Sequence, residues 1–202
     1  MWKLLKFLIV ILLILGAIYA YSIYRDRQTL NNQVIRLHVV ADTDDPEEQE
    51  IKLLVRDEIL KLVNTIKSDA LTKEDALALL QDQLPRLQEA ANRVLQQSGK
   101  DYQAEVTLQQ EAFPTRIYDT FSLPAGVYDS LRVTLGSGEG KNWWCVVFPD
   151  LCASAAAAVE ETAVEAGFSD TLSKTLTQEE GYEVRFWVLD CWGKMQNFLH
   201  LW

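Results

Sequence analysis

The chain has 202 residues, enough for one ordinary domain or two small ones. After residue 27 it carries 15 basic and 28 acidic residues, a net charge of −13. Because so acidic a chain is repelled by phosphate backbones and by anionic lipid surfaces, nucleic acid is not expected as a partner.

The first predicted element is an apolar helix near the amino terminus. Basic residues flank an uncharged run over residues 7–24, which is nearly long enough to cross a bilayer. A buried core helix is disfavoured for such a run. An uncleaved anchor is favoured slightly over a signal peptide, because a cut after Ala20 does not meet the A-x-A pattern. We assign residues 1–27 to a signal peptide or membrane anchor and residues 28–202 to an extracytoplasmic domain.

The exported part opens with a predicted strand and helix. Residues 33–41 alternate in polarity, which predicts a half-buried strand with Arg36 and His38 on its polar face. A helix is expected to begin at Pro46, because the acidic residues after it favour the positive end of the helix dipole. Asp45 is the expected capping residue.

A second helical segment is predicted to open at Thr72, which forms a capping-box pattern with Asp75. Pro85 lacks an amide donor, so a kink or a restart is expected there, and Gly99 is the expected stop. Residues 101–109 alternate again and predict a second strand.

The remaining elements are predicted to start with a β-meander. It comprises a short strand around residues 131–135, a Gly-rich hairpin turn, and a strand over residues 143–148. Residues 153–166 favour a helix, and a strand over residues 184–188 precedes a final helix. Together these elements predict one α+β domain after the N-terminal apolar helix, with a mixed or antiparallel sheet packed by two or three helices.

Three cysteines raise the question of a staple or a metal site. Cys145 and Cys152 are six residues apart, too far for a CxxC motif. In an oxidising compartment this spacing favours a disulfide that closes an eight-residue loop and contributes about 2.5 kcal/mol. Two free thiols, or metal or redox chemistry, are the alternatives. Cys191 stands in an apolar context and is expected to be buried.

Two further features are candidates for a functional surface. His38 is a candidate base, and an extracytoplasmic hydrolase that pairs it with an acid such as Asp42 is one hypothesis, although a half-exposed strand histidine without chemistry is favoured. Trp143 and Trp144 are adjacent in a predicted strand and should point to opposite faces, so that one of them can anchor a partner.

Three stretches of the sequence carry a family resemblance. They are IRLHVVADTDDPEEQEIKLLVRD after the apolar segment, FPTRIYDTFSLPAGVYDSLRVTLGSGEGKNWWCVVFPDLC, and EVRFWVLD. In combination they resemble the stage II sporulation protein R family of endospore-forming bacteria. Asp119 stands where the family pattern has Gly and Asp150 where it has Pro, and both positions are in predicted turns.

The resemblance implies a signalling protein rather than an enzyme. Members of that family are exported from the forespore into the space between the two sporulation membranes. There they activate the membrane-embedded aspartic peptidase that processes the sigma-E precursor. No cofactor, metal or small-molecule substrate is expected, and the membrane is expected to be contacted through the N-terminal segment.

The resemblance does not supply contact residues, so the candidates come from the residues themselves. The expected partner-binding surface comprises Arg36, His38, Arg116, Tyr118, Trp143 and Trp144. A hydrolase that uses His38 and a structural protein of the envelope are the alternative functions. A hydrolase requires His38, an acid and a nucleophile within hydrogen-bond reach of each other.

Overall fold

The computed structural model describes residues 2–118, 122–151, 191, 193–195 and 197–198. Its helices are α1 (Trp2–Gln33), α2 (Pro46–Ile66), α3 (Lys73–Asp82) and α4 (Leu84–Gln97). Its strands are β1 (Ile35–Val40), β2 (Ala104–Phe113), β3 (Arg116–Ile117), β4 (Ser122–Leu123), β5 (Gly126–Leu135) and β6 (Asn142–Phe148). The described residues after 190 are helical, in agreement with the predicted final helix. The predicted helix over 153–166 and the predicted strand over 184–188 lie outside the described residues.

Helix α1 is apolar and exposed along its first part. The segment Trp2–Ser22 has a mean hydropathy of 2.5 and is 0% buried, so it is long and apolar enough to cross a membrane. The end of the helix joins the folded domain instead. Leu30 is fully buried, and Lys73 donates a 2.6 Å hydrogen bond to the carbonyl of Asn31. The helix runs through residue 27, and the assignment of residues 1–27 to a signal peptide or anchor stays a prediction.

Four strands form a mixed sheet in the order β2-β5-β1-β6. Strand β1 pairs in parallel with β5 and antiparallel with β6, and β2 pairs antiparallel with β5. The α+β fold with a mixed sheet is therefore confirmed. The predicted meander is wrong, because β1 lies between β5 and β6. Pairing with a strand ninety residues away depends on tertiary packing and cannot be inferred from local turn chemistry.

The Gly-rich segment is consequently a crossover past the end of β1 and not a hairpin turn. The amide of Gly140 donates to the carbonyl of Ala41 at 3.0 Å, and the amide of Ser137 donates to the carboxylate of Asp42 at 2.5 Å. Gly138 has a φ of 66°, which favours glycine. The segment thus binds the backbone that leads out of β1.

The helix ends follow most of the local signals. Thr72 and Asp75 form both hydrogen bonds of the capping box at 3.1 Å. Asp45 is the residue before α2, but its side chain makes no capping hydrogen bond. Pro85 lies in the first turn of α4, which confirms a restart, and Gly99 follows the end of that helix with a φ of 74°.

One face of the sheet packs against the helices. The buried side chains of this layer come from β1, α2 and α4 among other elements, and they include Ile35, Leu37, Val39, Val55, Ile59, Leu87 and Leu95. Their removal from water supplies the main favourable contribution to the stability of the domain.

The other face of the sheet is also covered. A second apolar cluster lies there and comprises Leu30, Val34, Phe113, Leu123, Tyr128, Val146 and Leu151. Asn197, in the C-terminal helical residues, donates a 2.8 Å hydrogen bond to the carbonyl of Phe113. All six residues of β1 are therefore buried, and the expectation of a half-exposed polar face on this strand is wrong. Cys191 is exposed, so the expectation that it is buried is also wrong.

Candidate functional site

Polar and aromatic side chains from four strands meet on the face of the sheet opposite α2 and α4, which we call the second face. Because alternate residues of a strand point to the same side, each strand contributes two side chains. The residues that define the second face are Arg36 and His38 of β1, Glu111 and Phe113 of β2, Ser130 and Arg132 of β5, and Asn142 and Trp144 of β6.

Glu111 is the centre of the hydrogen-bond network on this face. Its carboxylate lies 2.8 Å from His38 Nδ1 and accepts hydrogen bonds from Arg132 at 2.6 Å and from Ser130 at 3.0 Å. Burial raises the pKa of the Glu111 carboxyl. The hydrogen bond and charge of His38 lower that pKa, and so do Arg132 and Ser130, so that the net shift is downward. The network therefore stabilises the charged carboxylate.

His38 is held on every side by this network. Its side chain is 7% exposed, and its Nε2 lies 2.7 Å from the side-chain oxygen of Asn142. The imidazole stacks on Trp144 with ring centres 5.4 Å apart and meets Phe113 edge-on at 5.9 Å. Both ring nitrogens are thus occupied by fixed side chains.

This arrangement does not have the geometry of a hydrolase centre. The predicted pairing of His38 with Asp42 is wrong, since Asp42 binds Ser137 and Glu111 binds His38. The hydroxyl of Ser130 donates to Glu111 rather than to His38. A general base needs a ring nitrogen that faces the nucleophile. The two ring nitrogens of His38 face Glu111 and Asn142 instead.

Arg36 is fully buried and has an incomplete set of partners. Its guanidinium lies 4.1 Å from the ring centre of Phe113 and 5.0 Å from that of Tyr128, and it donates a 3.1 Å hydrogen bond to the hydroxyl of Tyr118. Its Nε and Nη1 atoms have no hydrogen-bond partner among the described residues. A buried cation whose N–H groups lack partners is energetically costly unless a further group accepts their hydrogen bonds.

An arginine lies against each of the adjacent tryptophans Trp143 and Trp144. The Arg116 guanidinium lies 3.5 Å from the ring centre of Trp144 on the second face, and that of Arg56 lies 4.9 Å from Trp143 on the helix side. The adjacent tryptophans therefore point to opposite faces, as predicted. Both are partly buried.

The structure brings together five of the six residues predicted for the partner-binding surface. Arg36, His38, Arg116, Tyr118 and Trp144 belong to one connected set of contacts. Trp143 lies on the opposite face and is separate from it. Their role in binding a partner stays a prediction.

Sequence reasoning missed four members of the network, namely Glu111, Ser130, Arg132 and Asn142. Strand β2 continues to Phe113, but Gln109, Gln110 and Glu111 are consecutive polar residues, so the alternation in polarity ends at residue 109 and gave no signal for Glu111. The other three depend on which strands are neighbours.

Cys145 is disulfide-bonded, and Cys191 is a free thiol. Cys152 lies outside the described residues. The pairing of Cys145 with Cys152 therefore remains a prediction.

Comparison with known proteins places the sheet and its second face in a characterised family. The family model for stage II sporulation protein R matches residues 31–158. This chain belongs to that family. The matched range contains the whole sheet and every residue of the second face named above. The resemblance of the sequence to the stage II sporulation protein R family is thus confirmed.

A curated relative in the same family is the stage II sporulation protein R of Bacillus subtilis strain 168. It is 35% identical over 121 residues, which are 60% of this chain and 54% of the relative. The match thus spans about half the length of that protein. No solved structure matches this chain.

Proposed function

We propose that this protein is an extracytoplasmic signalling protein of sporulation that activates, by binding, the membrane aspartic peptidase that processes the sigma-E precursor. It acts in the space between the forespore and mother cell membranes, either secreted or held by α1. The observation that carries this proposal is membership of the stage II sporulation protein R family. A relative that bears the family name supports the sporulation role.

The apolar helix supports the location. The segment Trp2–Ser22 has the length and hydropathy of an export signal or membrane anchor, and the folded domain begins at the end of the same helix. An anchored domain would remain close to the membrane in which the peptidase is embedded.

The second face supports binding rather than catalysis. His38 is enclosed by Glu111, Asn142 and Trp144, whereas Arg116 on Trp144 is half-buried and reaches the surface. Stacked arginine and tryptophan are side chains enriched in the energetically important centres of protein interfaces.

Activation by binding requires a difference in affinity between two states of the peptidase. The domain must bind the extracytoplasmic part of the assembled, active peptidase more tightly than the inactive form. A preference of about tenfold corresponds to about 1.4 kcal/mol. One well-packed arginine contact can supply a difference of that size.

The test is coexpression of the full chain, the peptidase and its substrate in a host that does not sporulate. We expect cleavage of the sigma-E precursor, followed by immunoblot, to increase when this protein is present. Unchanged cleavage would refute the signalling proposal and would leave the structural envelope protein as the alternative.

A His38→Ala variant in the same host separates signalling from hydrolysis. We expect it to trigger processing whenever it accumulates as a folded protein, because His38 is enclosed and has no role in chemistry. A folded His38→Ala protein that still triggers processing would count against the hydrolase alternative.

A further inference from the structure

Arg36 of the second face and Arg116, which lies against Trp144 of that face, carry charge that is not neutralised by the described residues. Glu111, a carboxylate on the same face, binds His38 and Arg132 instead. In the described part of the chain neither Arg36 nor Arg116 forms an ion pair, and three of their nitrogen atoms are buried without a hydrogen-bond partner. Buried guanidinium groups normally have anionic or carbonyl partners, so this pair is incomplete.

Aromatic rings lie against both guanidinium groups. Phe113 and Tyr128 lie against Arg36, and Trp144 lies against Arg116. The nitrogens without a partner are Nε and Nη1 of Arg36 and Nε of Arg116. Each carries an N–H group that can donate a charge-assisted hydrogen bond to a carboxylate oxygen.

The two cations are close enough to affect each other. Burial lowers the pKa of Arg116, Tyr118 raises it, and the charge of Arg36 lowers it further. Tyr118 stands two residues after Arg116 and accepts the hydrogen bond from Arg36. One anion bound beside Tyr118 would therefore relieve the repulsion between both arginines.

The two arginines lie at different depths below the surface. Arg36 is 0% exposed, whereas Arg116 is half-buried and is followed by Ile117, which is 74% exposed. A ligand would therefore meet Arg116 first and Arg36 at the bottom. Because the exported part has a net charge of −13, a singly charged group is favoured over a polyanion.

We propose that Arg36 and Arg116 form a carboxylate-binding site beside Tyr118, and that its ligand is an aspartate or glutamate side chain on the extracytoplasmic part of the peptidase. The identity of the partner rests on the proposed function, but the existence of the site does not. A carboxylate of this chain outside the described residues, such as Asp119 or one from residues 152–190, is the competing source, and the experiments below separate the two.

The first experiment measures carboxylate binding at the site in the absence of the peptidase. The thermal midpoint of the full chain in detergent is compared in sodium acetate and in sodium chloride at equal concentration and pH 7. We expect acetate to raise the midpoint by about 4 °C at ten times its dissociation constant. The rise should be absent in Arg116→Gln and present in Arg56→Gln, which removes the equivalent arginine from Trp143 on the other face. No response in the wild type, or an equal response in Arg116→Gln, would overturn the proposal.

A second variant tests whether the chain fills the site itself. Arg36→Met keeps the length of the side chain and removes its charge. If the site is empty in the isolated protein, the midpoint should stay the same or rise, because an uncompensated buried charge is lost. A large drop in the midpoint, together with no acetate response in the wild type, would show that a carboxylate of this chain already occupies the site, and the proposal would be wrong.

The third experiment measures binding of this protein to the peptidase. Detergent-solubilised full-length peptidase is titrated with wild-type and variant protein. We expect Arg116→Gln to weaken binding about tenfold or more, Arg116→Lys to recover part of the loss, and Arg56→Gln to bind within about twofold of the wild type. Wild-type binding by Arg116→Gln would overturn the proposal.

Failure of the proposed function gives a different pattern. In that case the acetate response persists in the wild type, but the wild-type protein neither binds the peptidase nor increases precursor cleavage. That pattern removes the peptidase as the source of the carboxylate and keeps the site.

Discussion

At the scale of single residues, one carboxylate organises the charged groups of the second face. Glu111 bonds to His38, Ser130 and Arg132, and its net pKa is lowered although burial raises it. Since its folded pKa lies below the usual value near 4.5, its contribution to stability is present above that value. The contribution is lost as the pH falls through the folded pKa.

We predict that Glu111→Gln lowers the free energy of unfolding at pH 7 by about 2 kcal/mol, because charge-assisted hydrogen bonds to the carboxylate are lost. The difference from the wild type should shrink as the pH falls below about 4.5, where the wild-type carboxyl also becomes neutral. Urea unfolding of the full chain in detergent at several pH values measures both effects.

The control is Glu105→Gln, which makes the same chemical change at an exposed position of the same strand. It should leave the free energy of unfolding within about 0.5 kcal/mol. If Glu111→Gln lowered the free energy of unfolding equally at pH 7 and at low pH, the assigned role of the carboxylate would be contradicted.

At the scale of elements, the C-terminal helical residues pack against the start of β5. Gly193 lies so close to the carbonyl of Ala125 that an added Cβ would clash with that backbone. Asn197 donates to Phe113 on the neighbouring strand. A glycine that weakens the helix in isolation is therefore required for its packing on the sheet.

We predict that Gly193→Ala destabilises the domain by about 1–3 kcal/mol, since the helix must move away from Ala125. Gly99→Ala is the control with open space around the new methyl group, and its positive φ alone should cost about 1 kcal/mol. Chemical unfolding monitored by tryptophan fluorescence measures both. A Gly193→Ala protein as stable as the wild type would show that this contact is not needed.

The elements also show which features local sequence determines. The capping box at Thr72, the restart at Pro85 and the stop at Gly99 were predictable, because each depends on residues within one turn. The order of the strands was not predictable, because β1 pairs with β5 across the intervening helices. Burial of Arg36 was missed for the same reason, since the covering residues come from distant parts of the chain.

At the scale of the whole molecule, the family match covers the same part of the chain that carries the second face. The stage II sporulation protein R match covers the sheet, and the residues that form the second face lie within it. The second face contains an enclosed histidine network, and beside it Arg36 and Arg116 lack counter-ions among the described residues. Arginines that stack on aromatic rings are suited to binding a protein, and the hydroxyl of Ser130 donates to Glu111 rather than to His38.

The central claim is that the protein activates the peptidase by binding in a fixed ratio. The most direct test is reconstitution of purified full chain, peptidase and sigma-E precursor in lipid vesicles, with the initial rate of precursor cleavage as the measurement. We predict that the rate rises as this protein is added and reaches a plateau at a constant ratio of protein to peptidase. Full activation by trace amounts, or no change in the rate at any ratio, would contradict the account.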